Sequence, residues 1–325
     1  MKAIVVEEAG GPEVLTIKEI PTPVAKPGWV VVRVGAFGLN RSEMFTRQGH
    51  SPNVTFPRVL GIECVGEVAE DGDGELAAGQ KVAAVMGQMG RAFDGGYAEY
   101  TCVPSSQVLP VQTTLDWATF GALPETFLTA WGSLRRALSI EAGRSLLVRG
   151  ATSSVGMAAI TLAKEAGIEV AATTRNPDKV DGLKEQGADH VIVGGDTIKD
   201  QVRALYPEGV GDVLELVGTR TMKDSLDATA RGGTVCITGI VGGEWVIPAF
   251  APMEVIPSGV KLTKYSSQTI NRADYAGAMQ DIVTGVEDGR YNPALHKVFG
   301  FDEIVEAHRY MEANRALGKL VVVTD

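Results

Sequence analysis

Residues 145–175 read SLLVRGATSSVGMAAITLAKEAGIEVAATTR, and this stretch decides the fold. SLLVR is a short, continuously apolar run with a charge only at its end. The segment Gly150 to Gly156 follows as a tight turn. Val155, Ala158, Ala159, Leu162, Ala163 and Ala166 then recur at helical spacing, which predicts a helix packed on a sheet. Gly167 ends that helix, and EVAATT begins a second strand. A strand–turn–helix–strand unit of this kind brings backbone N–H groups and a helix N-terminus to one point, where a pyrophosphate is favoured. Gly150 and Gly156 supply the turn and close packing, and Val155 lies on the first helical turn. Ser153 stands where a central glycine is usual. With Ser154 it offers hydroxyls that can bond phosphate oxygens directly.

The end of the second strand reads out the ribose. A carboxylate there holds a 2′-hydroxyl, but this chain has Thr173, Thr174, Arg175 and Asn176, then Lys179. Two cations without a carboxylate at the strand end suit a 2′-phosphate, which predicts NADPH as cofactor; Asp178 lies between them.

Working outward, further apolar runs, HVIVGG, DVLELVG and GTVCITG, alternate with helical stretches from about Leu115 onward. They predict a doubly wound parallel sheet, whose strands are apolar on both faces because both are covered. Before Leu115 the texture is different. AIVVEE, LTIKEI, WVVVRV, IECVGEVA, KVAAVM and YAEYTCV are short strands separated by Gly/Pro turns with no helices between, which predicts a rolled β-domain. After Ser267 come two helical segments and a last strand, KLVVVTD. The expected domains are residues 1–117, 118–264 and a returning segment, 265–325.

Composition narrows the function classes. The chain has 325 residues, enough for two domains of about 100–200 residues each. A net charge of −10 and no Lys/Arg cluster disfavour a nucleic-acid partner. No run of about 18 apolar residues predicts a membrane span, and the N-terminus lacks a signal-like apolar core. Three widely separated cysteines, Cys64, Cys102 and Cys236, read as reduced thiols of a cytoplasmic protein.

In order along the chain, VGAFGLNRSEMFTRQG, PRVLGIECVGEV, FDGGYAEYTCVP, LTAWGSL, RGATSSVG, LKEQGADHVI and GKLVV together resemble the medium-chain dehydrogenase/reductase superfamily, quinone oxidoreductase branch. The resemblance implies a GroES-like β-domain, a Rossmann cofactor domain and a nicotinamide held between them. It implies cofactor contacts at Asn40, Thr129, Lys179, the loop Gly239-Ile240-Val241, and Lys319. Zinc-dependent relatives carry Cys and His where this chain has Asn40 and Ile62, and neither residue here supplies a thiolate or imidazole. No metal is therefore expected. Phe45 stands where many relatives have Tyr, and Val193-Gly194 where they often have Tyr beside the adenosine phosphates.

Without metal or an obvious catalytic set, no catalytic side chain is predicted, and the cofactor carries the chemistry. Phe45, Met86, Trp131, Trp245 and Phe250 are the expected apolar pocket residues. A quinone is the leading acceptor. An enone or alkenal double bond would be reduced by the same chemistry, and a cofactor-binding sensor or structural protein with little turnover is a third reading. The resemblance implies a homodimer through a sheet edge near Tyr265.

Overall fold

The computed structural model describes residues 1–52 and 54–324. They form two compact units, one of residues 1–128, 267–289 and 295–325, the other of residues 129–266 and 290–294.

The first unit is built on antiparallel β-structure. Its strands are β1 (Lys2–Val6), β2 (Thr16–Glu19), β3 (Trp29–Gly38), β4 (Arg58–Val59), β5 (Glu63–Asp71), β6 (Lys81–Val85), β7 (Tyr100–Pro104) and β8 (Val108–Pro110). Helices α1 (Arg41–Arg47), α2 (Trp117–Gly121) and α3 (Pro124–Gly132) are interleaved or follow. The long strand β3 pairs with both β5 and β7, and its side chains are buried on both faces except at its start and at Arg33. Arg33 stays out by pairing across the ladder with Glu67 at 2.6 Å.

The division falls inside α3, later than the boundary at 117/118 that the sequence suggests. Tight packing explains this. A Cβ at Gly35 would lie 2.5 Å from the Trp117 ring, and one at Gly121 would lie 3.0 Å from the Ala36 methyl. Helix α2 is thereby part of the β-unit, whatever its helical texture.

The second unit is the alternating α/β array. Strands β9 (Ser145–Arg149), β10 (Glu169–Thr174), β11 (His190–Val193), β12 (Val210–Glu215), β13 (Thr229–Ile237) and β14 (Lys261–Lys264) enclose helices α4 (Ser154–Glu165), α5 (Val180–Glu185), α6 (Lys199–Leu205), α7 (Thr219–Ala228) and α8 (Pro252–Val255). The sheet order is β11-β10-β9-β12-β13-β14, every pair parallel. This is the doubly wound α/β architecture read from the sequence. The central strands β9, β10 and β12 are buried almost throughout, while the edges β11 and β14 are half-exposed.

The chain then returns to the first unit through α9 (Arg272–Glu287), β15 (Leu295–Gly300), α10 (Ile304–Glu312) and β16 (Lys319–Val323). Strand β16 pairs antiparallel with β3 and parallel with β15. Strand β15 carries no alternating apolar signal, and the sequence did not announce it. Residues 290–294 cross to the second unit, where Asn292 bonds Gln186 and Thr161.

One buried polar contact ties α10 to the β-unit. Tyr97 stacks on Phe37 with centroids 4.5 Å apart, and its hydroxyl meets His308 Nε2 at 3.2 Å. His308 is fully buried and its Nδ1 has no partner. Burial, aided by the nearby charge of Arg47, pushes its pKa from 6.5 down to about 3. The unfolded chain therefore takes up a proton below about pH 6.5 that the folded chain refuses until about pH 3. Stability contributed here is present at neutral pH and is lost as pH falls through that window, by up to about 1.4 kcal/mol per pH unit. Replacing His308 with Gln, which keeps a polar partner for Tyr97, should make the loss of stability between about pH 7 and pH 4 shallower by that slope. Urea unfolding of both proteins across this range checks it, and equal slopes would show that His308 is not the group responsible.

Candidate active site

In the second unit the sequence-predicted turn takes shape at the end of β9. Gly150 has φ +81, a conformation that favours glycine, and its N–H donates to Thr173 Oγ1 at 3.0 Å. A Cβ on Gly156 would lie 2.6–2.8 Å from the main chain of Ala151, so only glycine lets α4 approach its own turn. Ser153 is the N-cap of α4. Its Oγ accepts from Gly156 N at 3.2 Å and donates to the Gly150 carbonyl at 2.9 Å. The Ser153 hydroxyl is thus engaged inside the turn both as donor and as acceptor. Ser154 and Val155 open the helix and are half-buried. Helix α4 is buried around most of its circumference, more than the single predicted face.

At the end of β10, Thr174 is buried and its hydroxyl closes a turn with the main chain of Asn176 at 3.1 Å. Arg175 is exposed, whereas Lys179 is half-buried and its pKa is lowered by that burial. On the other side of the switch between β9 and β12, Gly239 N donates to the Glu215 carbonyl and Val241 N to the Leu216 carbonyl, with Ile240 between them. A Cβ on Gly239 would lie 2.6 Å from the Leu216 oxygen. Ser133, beside Thr129, links the Thr129 carbonyl at 2.7 Å to Thr238 Oγ1 at 2.9 Å. The turn, the ribose-end residues and the 239–241 loop therefore all lie at the C-terminal edge of one parallel sheet, where open α/β sheets bind ligands. A tight glycine cradle facing a twelve-residue helix fits a pyrophosphate.

Asn40 and Lys319 lie in the first unit, in a buried polar cluster the sequence reading did not foresee as a whole. Lys319 Nζ donates to Glu63 Oε1 at 2.6 Å and to Asn40 Oδ1 at 2.7 Å, and both charged side chains are wholly inaccessible. Asn40 Nδ2 donates to Glu63 Oε1 at 2.9 Å and Glu43 Oε1 at 3.1 Å. Glu43 Oε1 also accepts from Ile62 N, and Glu63 Oε2 from Glu125 N. Burial pushes Glu43 up to about 7, against the pull of the Ile62 and Asn40 hydrogen bonds and of Lys319. The amide of Asn40 is engaged at both ends. The Lys319 ammonium thus commits two of its three N–H donors to Glu63 and Asn40 inside the β-unit. The legible signal was a lone lysine at the start of an otherwise apolar strand, KLVVV.

The expected pocket residues are divided. Phe45 packs beside the core of the first unit and Met86 is buried there with φ 64. Trp131, half-buried under Arg136, lies in the second unit with Trp245 (60% exposed) and Phe250 (37% exposed). Among the described residues, no group of three His, Cys, Asp or Glu side chains is placed to hold a metal ion.

Comparison with known proteins agrees with this architecture. Residues 26–113 match the alcohol dehydrogenase GroES-like domain and residues 154–284 the zinc-binding dehydrogenase domain. The chain belongs to the medium-chain dehydrogenase/reductase family. Its β-unit is GroES-like and its parallel unit Rossmann-like, and the protein is an oxidoreductase of this family. The quinone oxidoreductase of Homo sapiens is 27% identical over 331 residues, covering 99% of this chain and 98% of the relative. A mycobacterial protein, Rv1454c, solved in complex with NADPH, has a TM-score of 0.88 at 25% identity, with both chains fully covered. The Escherichia coli quinone oxidoreductase complexed with NADPH superposes with a TM-score of 0.89 over the full length of both chains; at 20% identity it speaks for the fold alone. The second domain's family is named for zinc binding, while among the described residues no such metal-holding group of His, Cys, Asp and Glu is found.

The Glu63–Lys319 pair makes a stability prediction. Lys319→Met strands a buried carboxylate and should destabilise the protein by about 3–5 kcal/mol. Adding Glu63→Leu to the same chain should recover part of that loss, since the stranded charge goes but Glu125 N–H loses its acceptor. Chemical denaturation of the single and double variants measures both, and a single variant as stable as the parent would show that the pair is not what holds β16 to β5.

Proposed function

We propose that this oxidoreductase binds NADPH at the Gly150–Gly156 turn and reduces a quinone. The observation that carries the cofactor reading is the end of β10, where Thr174 is followed by Arg175 and, one turn on, Lys179, with no carboxylate at the strand end. When bound, the cofactor supplies a hydride to an electron-poor acceptor. The chain's own part is to bind and orient. The turn and the N-terminus of α4 take the pyrophosphate, while Arg175 and Lys179 take the 2′-phosphate through charge-assisted bonds. Gly239, Ile240 and Val241 present main chain to the nicotinamide end, with Thr129 near it. Asn40 and Lys319 act through the Glu63 cluster, keeping that part of the β-unit rigid. The half-buried Lys179 is the more sensitive of the two cations, since burial already disfavours its charge.

The full-length likeness to named quinone oxidoreductases supports the acceptor class. Phe45, Met86, Trp131, Trp245 and Phe250 are the apolar side chains proposed to receive it. The half-exposed edge strand β14, with Val246 and Met253 exposed in the segment before it, supports a homodimer built across that edge. No helix among the described residues is long and apolar enough to cross a membrane, and a cytoplasmic location is part of the proposal.

Loss of NADPH absorbance against quinones and against enones, with NADH in parallel, tests the reading. Quinone turnover with NADPH preferred is the expected result. Enone turnover with inert quinones would move the substrate to the activated alkene, and tight binding without turnover in either series would favour a sensor. Arg175→Ala with Lys179→Ala should raise the Kd for NADPH about 10–100-fold while that for NADH changes less than about twofold. Equal effects on the two cofactors would remove the 2′-phosphate assignment.

A further inference from the structure

Two charged side chains stand at the C-terminal ends of neighbouring buried strands, Arg149 on β9 and Glu215 on β12, and both are inaccessible to solvent. Neither contributes to the reading above, and burial of such groups is costly unless each is fully satisfied. Each one is. Arg149 Nη1 donates to Asp224 Oδ2 and, at 3.4 Å, to Ser225 Oγ, while its Nη2 donates to the carbonyls of Gly195 at 3.2 Å and Asp196 at 2.5 Å. Glu215 Oε1 accepts from Val217 N at 2.8 Å and Gly218 N at 3.0 Å, and its Oε2 accepts from Ser225 Oγ at 2.6 Å. Asp224 also caps α6, accepting from Ile198 N at 2.9 Å and Lys199 N at 3.3 Å.

The four side chains Arg149, Asp224, Ser225 and Glu215 form one continuous network, and it touches the loops after β11, β12 and β13. It grips the loop after β11 at residues 195–196 and the loop after β12 at residues 217–218. Through the main chain of Glu215 and Val217 it reaches the loop after β13, at Gly239 and Gly242. The loop after β11 is the one that most needs a grip. Gly194 and Gly195 carry no side chains, and a Cβ placed on Gly195 would meet nothing within 4 Å. Whatever approaches from that open side meets main chain, whose position is set by what holds it. Apart from Arg149, residues 194–196 are held by Gly194 N on the Thr174 carbonyl at 2.9 Å and by the solvent-exposed pair of Asp196 with Arg220, with Asp224 holding Ile198 N just beyond them. The Asp196–Arg220 pair is of the kind that contributes little.

We propose that Arg149 is a positioning residue for the adenosine-phosphate end of the dinucleotide, acting through the backbone of Gly195 and Asp196 and through the Asp224–Ser225–Glu215 network behind the turn. This rests on the NADPH reading. The guanidinium is the only side chain shape here that donates at once to a carboxylate and to two successive carbonyls. Lysine keeps the charge but not the fork.

The test is calorimetric titration of NADPH and of 2′,5′-ADP, the adenosine bisphosphate half alone, into the parent protein, Arg149→Met and Arg149→Lys. Fragment binding reads the adenosine end without turnover. The expected result is that Arg149→Met weakens both ligands by the same factor, about tenfold or more, with Arg149→Lys between it and the parent. Turnover at saturating NADPH should fall by a smaller factor than fragment affinity, because Arg149 itself meets the loop after β11 and reaches the Gly239 loop only through Ser225 and Glu215. Should Arg149→Met not fold, Arg149→Lys carries the test by the same fragment titration. Unchanged fragment affinity in the folded variants overturns the proposal while leaving the NADPH reading intact, and so does a loss confined to turnover. A parent protein that binds neither NADPH nor 2′,5′-ADP overturns both.

Discussion

Strand β9 pairs in parallel with β10 on one side and β12 on the other, and the rest of the second unit depends on that central position. A strand buried on both faces has no room for polar side chains along its length, so charge is expelled to its ends. The chain leaves β9 through the Gly150 turn toward β10, and returns on the other side through β12. The loops therefore diverge at the C-terminal edge between β9 and β12. Gly150, Gly156 and Gly239 are the residues that let main chain come close there. The close approaches at the last two leave no space for a side-chain carbon.

The same expulsion of charge appears in the first unit, with a different outcome. Lys319 begins β16 and Glu63 begins β5, and the fold brings both into the interior beside Asn40 and Glu43. Their neutralising contacts leave one carboxyl oxygen of Glu43 without a partner, which agrees with a carboxyl whose proton is held to about pH 7. A cluster of this kind is rigid while complete and costly when broken, since removing one member leaves buried polar partners of the others unpaired. Rigidity around Asn40 is thus a property of the ensemble of four side chains.

Much of the architecture was legible because its signals are local. The apolar runs SLLVR and EVAATT, the glycine stop at Gly167 and the spacing of Ala158, Leu162 and Ala163 each report on a few consecutive residues. The change of texture near Leu115 was equally visible, yet it misplaced the boundary, because α2 looks helical and packs with the β-unit. Strand β15 was missed since half its residues are exposed and its pairing partner, β16, lies more than twenty residues on. Ser153 was read as a ligand because a hydroxyl in a phosphate turn suggests one. Its actual hydrogen bonds depend on where the Gly150 carbonyl and Gly156 N–H point.

By itself the sequence determined the two architectures, the position of the Gly150–Gly156 turn, and the absence of a carboxylate at the end of β10. These follow from hydrophobic periodicity, from glycine where the chain must turn tightly, and from the identity of a few residues. Only the tertiary structure decided where the charges of Arg149, Glu215, Glu63 and Lys319 go. Their partners lie from a few to more than 250 residues away along the chain, and desolvation selects a partner only when the fold has closed around both.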